Sequence, residues 1–508
     1  MKRLTENSMI NYIQNDNALV VYWERSADDC GGIYSVFLNG KEIGSTKNTF
    51  YEIAGYNPAQ VAEIAVYKAD SQRVEKILLG KARICAHTAK RLIDVTKAPY
   101  NAVGDGKTLN TTALRQALSD CADDEIVYLP QGIFLSGALE MKSGTELYLE
   151  RGAVLQGTCD LNDYLPKHKA RFEGIERECY RPLIKIGNMD NGGACATKNV
   201  RISGGGTICG GGAEFADKII RFEMERMSEG EKRKLSLGYE CEKTIPGRCR
   251  PFLIDVCNSE NVQISDLTIK NGPAWNIHIV YSKDVTIYGC DVSSAGIWNG
   301  DGIDPDSSEN VTIFNCRFST HDDAIAVKSG KNPQGNIINR PAKNIRIFSC
   351  CGKNGIAIGS EMSGGVDGVY VWDCDFSDSY SGFWIKTTEK RGGYVKNIHV
   401  SDCSFVNIRY SGAVAFNNDG ERAEKLPAVE NLSFRRLKLS GISTDGFGDT
   451  CAVPPIDFVG SETYKPSDCV IEDISLIKTE KTAYVKTYSG LKIDNIENVE
   501  LNRIDLKK

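Results

Sequence analysis

The sequence predicts an all-β protein, a right-handed parallel β-helix preceded by a small β-sandwich. Three observations carry that prediction. An apolar register at offsets 0, +2, +5 and +7 recurs nine times from residue 262 onward, a third apolar pair follows several copies, and a differently patterned set of short strands precedes them. Self-similarity at periods of 20–50 residues marks a repeat architecture.

The register reads Val262, Ile264, Leu267, Ile269, then Val285, Ile287, Cys290, Val292, with further copies starting at Val311, Ile345, Val369, Ile398, Leu432, Cys469 and Val499, the last ending at Leu506. The starts lie 23 to 37 residues apart, and Gly352 breaks the last place of the Ile345 copy. A step of two keeps a side chain on one face of a strand, whereas a step of three swaps faces unless the chain turns a corner. Each copy is therefore two short inward-facing strands with a bend between them. The third inward pair is Ile277/Ile279, Ile325/Val327, Ile356/Ile358, Phe383/Ile385 and Val414/Phe416. Three short strands per coil of twenty-odd residues make a parallel solenoid, while helical repeats would need 3.6-residue periodicity.

Taken in chain order, residues 1–88 form the first domain. Strands at Ala18–Trp23, Tyr34–Leu38 and Val61–Lys68 are separated by turn residues, and Asn39-Gly40 is a two-residue hairpin signal. The segment resembles a fibronectin-III-like β-sandwich, serving either as a carbohydrate-binding or cleft-shaping module or as a docking domain without a ligand. The solenoid fills residues 89–508. An amphipathic helix near Thr111–Cys121 caps its apolar end, as solenoids require. An insertion between 213 and 250, with a charged helical stretch from Glu214 to Leu237, reads as a surface helix.

Composition narrows the function. The chain has 508 residues, 41% hydrophobic, with 61 Lys+Arg against 67 Asp+Glu for a net charge of −6. That excludes wholesale disorder and gives no electrostatic footprint for nucleic acid or an anionic membrane. An anionic substrate must be met by locally placed cations. The N-terminal MKRLTENSMINYIQ has no apolar segment, so a cytoplasmic location is expected, with the 18 cysteines as free thiols. Five of them, Cys290, Cys316, Cys350, Cys374 and Cys403, occupy the +5 place as small core hydrophobes. No His/Cys cluster has zinc spacing, so no metal or other cofactor is expected.

One coil stands out for chemistry. It reads Asn299-Gly300-Asp301-Gly302-Ile303-Asp304-Pro305-Asp306, then His321-Asp322-Asp323 before the strand Ala324 to Lys328. Adjacent carboxylates beside a buried strand raise one another's pKa, and such clusters belong to metal or acid–base sites. Alternation puts Ala324, Ala326 and Lys328 on the outer face of the third sheet. Neighbouring coils add Asn276 and His278 on one side and Ala357, Trp384 and Lys386 on the other. Asp301, Asp322, Asp323, an ammonium and an indole then share one groove. His321 reads as a turn residue, and Arg248 and Arg250 as either groove or surface cations.

This region, roughly residues 94–480, resembles glycoside hydrolase family 28, the polygalacturonases, whose solenoid is of the pectin-lyase-like type. The family's four segments fall on Asn299-Gly300-Asp301, Asp322-Asp323, Lys353-Asn354-Gly355 and Trp384-Ile385-Lys386, and Pro273-Ala274-Trp275-Asn276-Ile277-His278 resembles its bacterial exo-acting branch. The resemblance implies inverting hydrolysis of α-linked galacturonic acid in pectin-derived oligosaccharides. Asp322 is then the acid, and Asp301 with Asp323 activates water. An inverting pair is expected to stand ~6.5–9.5 Å apart. Lys386 is expected to pair with a uronate carboxylate, with Asn354, Trp384, Arg391, His278 and Lys328 lining the substrate. Two departures stand out: Asn354 replaces the family's His and Trp384 its Arg. A Trp stacking on a sugar ring favours the runner-up substrate, rhamnogalacturonan fragments. A non-catalytic glycan-binding β-helix and a polysaccharide lyase are the competing classes.

Overall fold

The computed structural model describes the chain except residues 1–9, 15–17, 26–28, 30, 70–75, 87, 190–194, 237–243, 295, 415–421, 446–447, 478–490, 495–498 and 506–508. It divides into two compact units, residues 1–91 and 92–508, against the boundary expected at 88.

The first unit contains strands β1 (Asn11–Gln14), β2 (Ala18–Tyr22), β3 (Tyr34–Leu38), β4 (Lys41–Thr46), β5 (Phe50–Ala54), β6 (Ala62–Ala69) and β7 (Lys76–Ile84). They form two antiparallel sheets, ordered β1–β2–β5 and β4–β3–β6–β7. Leu19, Val21, Tyr34, Val36, Ile64 and Val66 from both sheets share one buried core. Asn39 (φ 50°) and Gly40 (φ 80°) make the β3–β4 turn, the doubly left-handed geometry that matches strand twist.

In the second unit the repeat register becomes a ladder. Val262 pairs with Val285, and the line runs on through Val311, Ile345, Val369, Ile398 and Leu432 to Cys469. The bend implied by the step of three is a single left-handed residue before the +5 place: Asp266, Gly289, Asn315, Ser349, Asp373, Asp402, Arg436 and Asp473 in successive coils. A second left-handed corner precedes offset 0. There Asn310 donates to Asp284 (2.9 Å), Asn344 to Asn310 (2.5 Å), Asn397 to Asp367 (2.7 Å) and Asn431 to Asn397 (2.6 Å). At the broken +7 place a Cβ on Gly352 would lie 2.1 Å from the Phe318 carbonyl oxygen. The five +5 cysteines are buried, and every cysteine among the described residues is a free thiol. The cap helix runs Thr111–Asp120 and buries Leu114, Ala117 and Leu118 in the solenoid core.

Two expectations are corrected. In the insertion, which among the described residues also holds a short helix at Thr244–Gly247, the stretch expected as one surface helix is two, Gly212–Glu225 and Glu229–Ser236. Ser228 separates them by capping the second, its backbone N–H donating to Glu231 (2.8 Å) while its hydroxyl accepts from the Glu231 N–H (3.3 Å). The first helix buries Phe215 and Ile219 against Tyr164 and Tyr180. The third strand of the coil after Phe383 is Ile408–Ser411, with Ile408 and Tyr410 inward, not Val414/Phe416. Val414 lies beyond that strand, and Phe416 and Leu506 lie outside the described residues.

Candidate active site

The third strands form an eleven-stranded parallel sheet from Leu139–Met141 to Leu491–Asp494. One outward row runs Glu140, Lys185, Asp255, His278, Asp304, then Ala326, Ala357, Trp384, Arg409, Asp457. The carboxylates cluster at its middle. Asp301 precedes one strand, and Asp322–Asp323 precede the next. Gly302 lets the two coils approach, since a Cβ there would sit 2.3 Å from the Ala324 carbonyl oxygen. Asn276 donates to the Asp301 carbonyl from its backbone (3.0 Å) and its side chain (2.9 Å), and the Gly302 N–H donates to the Asp323 carbonyl (3.0 Å).

One oxygen from each of Asp301, Asp322 and Asp323 lies within 4.8 Å of the others. The three come from two successive coils, Asp301 before one strand and the chain neighbours Asp322 and Asp323 before the next. Two oxygens that far apart can each accept one proton of a single water at ordinary hydrogen-bond lengths. Burial first, and then neighbouring carboxylates, pushes Asp301 well above the carboxylate range. Burial also raises Asp323, against the opposing pull of Lys386, whose ammonium bonds to it at 2.7 Å. The two residues expected as bases therefore hold protons more tightly than ordinary carboxylates.

Behind them lies an ionic hub. Lys328 is buried, with Asp301 and Asp304 at 3.5 Å, Glu361 at 3.4 Å and the Trp275 ring at 4.7 Å. Burial drives the Asp304 pKa up as well, against the opposing charge of Lys328. Burial raises Glu361, but Lys328, Arg391 and Lys331 outweigh it and leave it at about 2.

The expected substrate contacts are distributed differently from the sequence reading. His278 is fully buried between Asp255 (3.1 Å) and Asp306 (3.5 Å), so it offers substrate no surface. Arg391 is fully buried and donates to Ser360 and Asn332. Lys328 faces outward but is covered. Asn354, left-handed at φ 64°, donates from its amide to the Thr320 carbonyl (2.7 Å), and Thr320 in turn donates to the Asp322 carbonyl (2.7 Å). It thus fixes the turn that carries the pair. Trp384 is half-buried, its indole N–H donates to Ser411 (2.9 Å), and the Arg409 guanidinium lies 3.9 Å from its ring centre. Arg250 is buried and holds the Asn299 side chain (2.7 Å), Arg248 pairs with Glu173 (2.8 Å), and His321 is exposed.

Sequence reasoning missed Asp304, Asp306, Glu361 and Arg409. For the first two a signal existed, the alternation Ile303-Asp304-Pro305-Asp306. Long inserts at 213–250 and 331–342 are, from the sequence, expected to close one end of the groove; the aromatic cover on one side of the row is not among the expected features. Phe172, Phe252 and Trp275 stack at 5.1–5.5 Å and near-parallel planes, over His278. Phe172 belongs to a hairpin, His168–Phe172 with Ile175–Cys179, that the 331–342 insert pins, the Lys331 N–H donating to the Gly174 carbonyl (3.0 Å) and the Glu176 N–H to the Gln334 side-chain oxygen (2.7 Å). Asp255, His278 and Asp304 are consequently buried, while Trp384, Arg409 and Asp457 are partly open. Next to the carboxylates the row is covered from Asp255 to Asp304 and partly open from Trp384 to Asp457, while Glu140 at its N-terminal end is exposed.

The chain is similar to several known proteins. A probable polygalacturonase of Vitis vinifera is 32% identical over 411 residues, spanning 75% of this chain and 76% of its own length. An exo-poly-alpha-D-galacturonosidase of Dickeya chrysanthemi is 25% identical over 509 residues, spanning 88% and 82%. The structure of the Yersinia enterocolitica family 28 exopolygalacturonase shares the fold at a TM-score of 0.77, covering 98% of this chain and 99% of its own at 19% identity. Residues 192–499, more than half of the sequence, match the model of glycosyl hydrolases family 28, and the chain belongs to that family.

Proposed function

We propose that the protein is an exo-acting galacturonidase, hydrolysing terminal α-linked galacturonic acid from pectin-derived oligosaccharides. The observation that carries this reading is a three-carboxylate cluster on an outward row that is covered on one side and open on the other. A chain end fits such a site, and a chain passing through does not. Relatives named as polygalacturonases, one of them exo-acting, support the reaction class.

In this reading Asp322, the member of the adjacent pair without the lysine, protonates the glycosidic oxygen. Asp301 and Asp323 hold one water between them and take its proton as it attacks the anomeric carbon. Attack from the face opposite the leaving group inverts that carbon. Lys386 opposes the rise that burial imposes on Asp323 and so favours its ionised form. The Trp384 ring already carries a guanidinium, which favours galacturonan over rhamnogalacturonan as the substrate. The free thiols fit a reducing cytoplasm and oligosaccharide rather than polymer substrates.

The test is the product profile on oligogalacturonides and rhamnogalacturonan fragments, with the anomer of the first-formed product read by proton NMR. Monomer alone with inverted configuration is expected, and Asp322→Asn is expected to lower kcat by about 10²–10⁴-fold. A product ladder, retained configuration, or full activity in that variant would each overturn the corresponding part of the proposal.

A further inference from the structure

The predicted cations of the groove are largely committed. Lys386 is bonded to Asp323, Lys328 is enclosed by three carboxylates, and Arg391 is buried on Ser360 and Asn332. Arg409 is different. It lies one coil beyond Trp384 on the same outward row, is 27% exposed, and has only a 3.5 Å ion pair from its Nε to Asp457 besides the indole stack. Among the described residues its two terminal nitrogens have no hydrogen-bond partner. The Trp384 ring joins Arg409 to the reaction centre. The Lys386 ammonium lies 4.7 Å and the Arg409 guanidinium 3.9 Å from the same ring centre, while the indole N–H is tied to Ser411. The guanidinium therefore packs on the same indole that the Lys386 ammonium approaches, on the open side of the row.

We infer that Arg409, set by Trp384 and Asp457, is the specificity-determining contact for the carboxylate of the leaving-group sugar. This rests on the exo-galacturonidase reading. With the covered side holding the terminal sugar, the departing chain extends over Trp384 toward Arg409. A guanidinium with two free terminal nitrogens presents the fork that a carboxylate takes bidentately, which an ammonium cannot reproduce. The arginine that the family carries at position 384 is thus replaced by a tryptophan that positions another arginine from the next coil.

The test compares trigalacturonate, whose leaving group is anionic, with 4-nitrophenyl α-galacturonide, whose leaving group lacks a carboxylate. Arg409→Ala is expected to raise KM for trigalacturonate about 10- to 100-fold with little change in kcat, and to leave the aryl galacturonide nearly unaffected. Arg409→Lys should restore part of the loss. The wild type itself provides a control independent of folding, since methyl-esterifying the leaving sugar should raise KM by a similar factor. Equal losses on both substrates, or indifference of the wild type to the ester, would overturn the inference alone. A wild type inactive on both substrates would overturn the galacturonidase reading and the inference with it.

Discussion

At the scale of single residues, the Asp323–Lys386 pair ties structure most directly to measurable chemistry. Burial raises Asp323, Asp322 adds to the rise, and Lys386 opposes both. A base acts only when ionised, so kcat/KM falls as pH drops through its pKa. The acidic limb of the profile is therefore expected above the ordinary carboxylate range. Lys386→Met removes the opposing charge and should move that limb further toward neutral, whereas Lys386→Arg should scarcely move it. A limb that stays in place or moves downward would remove Asp323 from the base role. These four residues (Asp301, Asp322, Asp323 and Lys386) were legible in the sequence because adjacent carboxylates beside a buried strand have little structural purpose. Glu361 and Arg409 were not. Whether an outward-facing residue meets solvent depends on which distant loop covers it, and the hairpin carrying Phe172 lies about a hundred residues before the coils it seals. His278 was misjudged for the same reason: alternation put it on the outer face, and the aromatic cover took it out of solvent.

At the scale of the coil, the step of three in the apolar register announced a corner, and the structure supplies it with one left-handed residue. The second corner, before offset 0, left no apolar trace, yet its asparagines link coil to coil. Asn397 donates to Asp367 (2.7 Å) and accepts from Asn431 (2.6 Å) at φ 59°. Two separable contributions follow. Asn397→Ala loses both hydrogen bonds, about 0.5–1.5 kcal/mol each, and with them the polar side chain that makes Asn tolerant of the left-handed region, where a Cβ costs ~1–2 kcal/mol. Asn397→Gly loses the bonds and avoids the backbone cost. Urea unfolding should therefore rank wild type above Gly and Gly above Ala, and an Ala variant as stable as the Gly variant would show that the corner is not strained. The misplaced third strand at Val414 has a physical reason too. Ile408 and Tyr410 follow Phe405 so closely that the coil turns without the usual spacer, and an apolar pair of period two further on looks the same in sequence.

For the solenoid as a whole, the buried charges under the site set how stability varies with pH. Glu361, held at about 2 chiefly by Lys328 against burial, contributes stability that is complete above its ordinary value of 4.5 and lost as pH falls toward 2. His278 is raised: burial lowers it, and Asp255 and Asp306 more than reverse that. Its contribution is complete below 6.5 and lost as pH rises through the folded value. Asp301, Asp304 and Asp323 are raised, first by burial, so the folded state keeps protons that the unfolded chain releases near 3.8. Stability from these three therefore declines as pH climbs from there. The three trends overlap between 4.5 and 6.5, with the raised carboxyls tilting that interval downward toward neutral. Thermal melts across pH should peak near the acid end of the interval and fall toward pH 8. Asp304→Asn removes one raised carboxyl and relieves its repulsion on Asp301, so it should flatten the neutral-side decline while keeping the packing around Lys328. A melting temperature that keeps rising to pH 8, or a variant with an unchanged slope, would mean that the hub is fully ionised in the folded state, because only then would the unfolded chain bind no fewer protons than the native one.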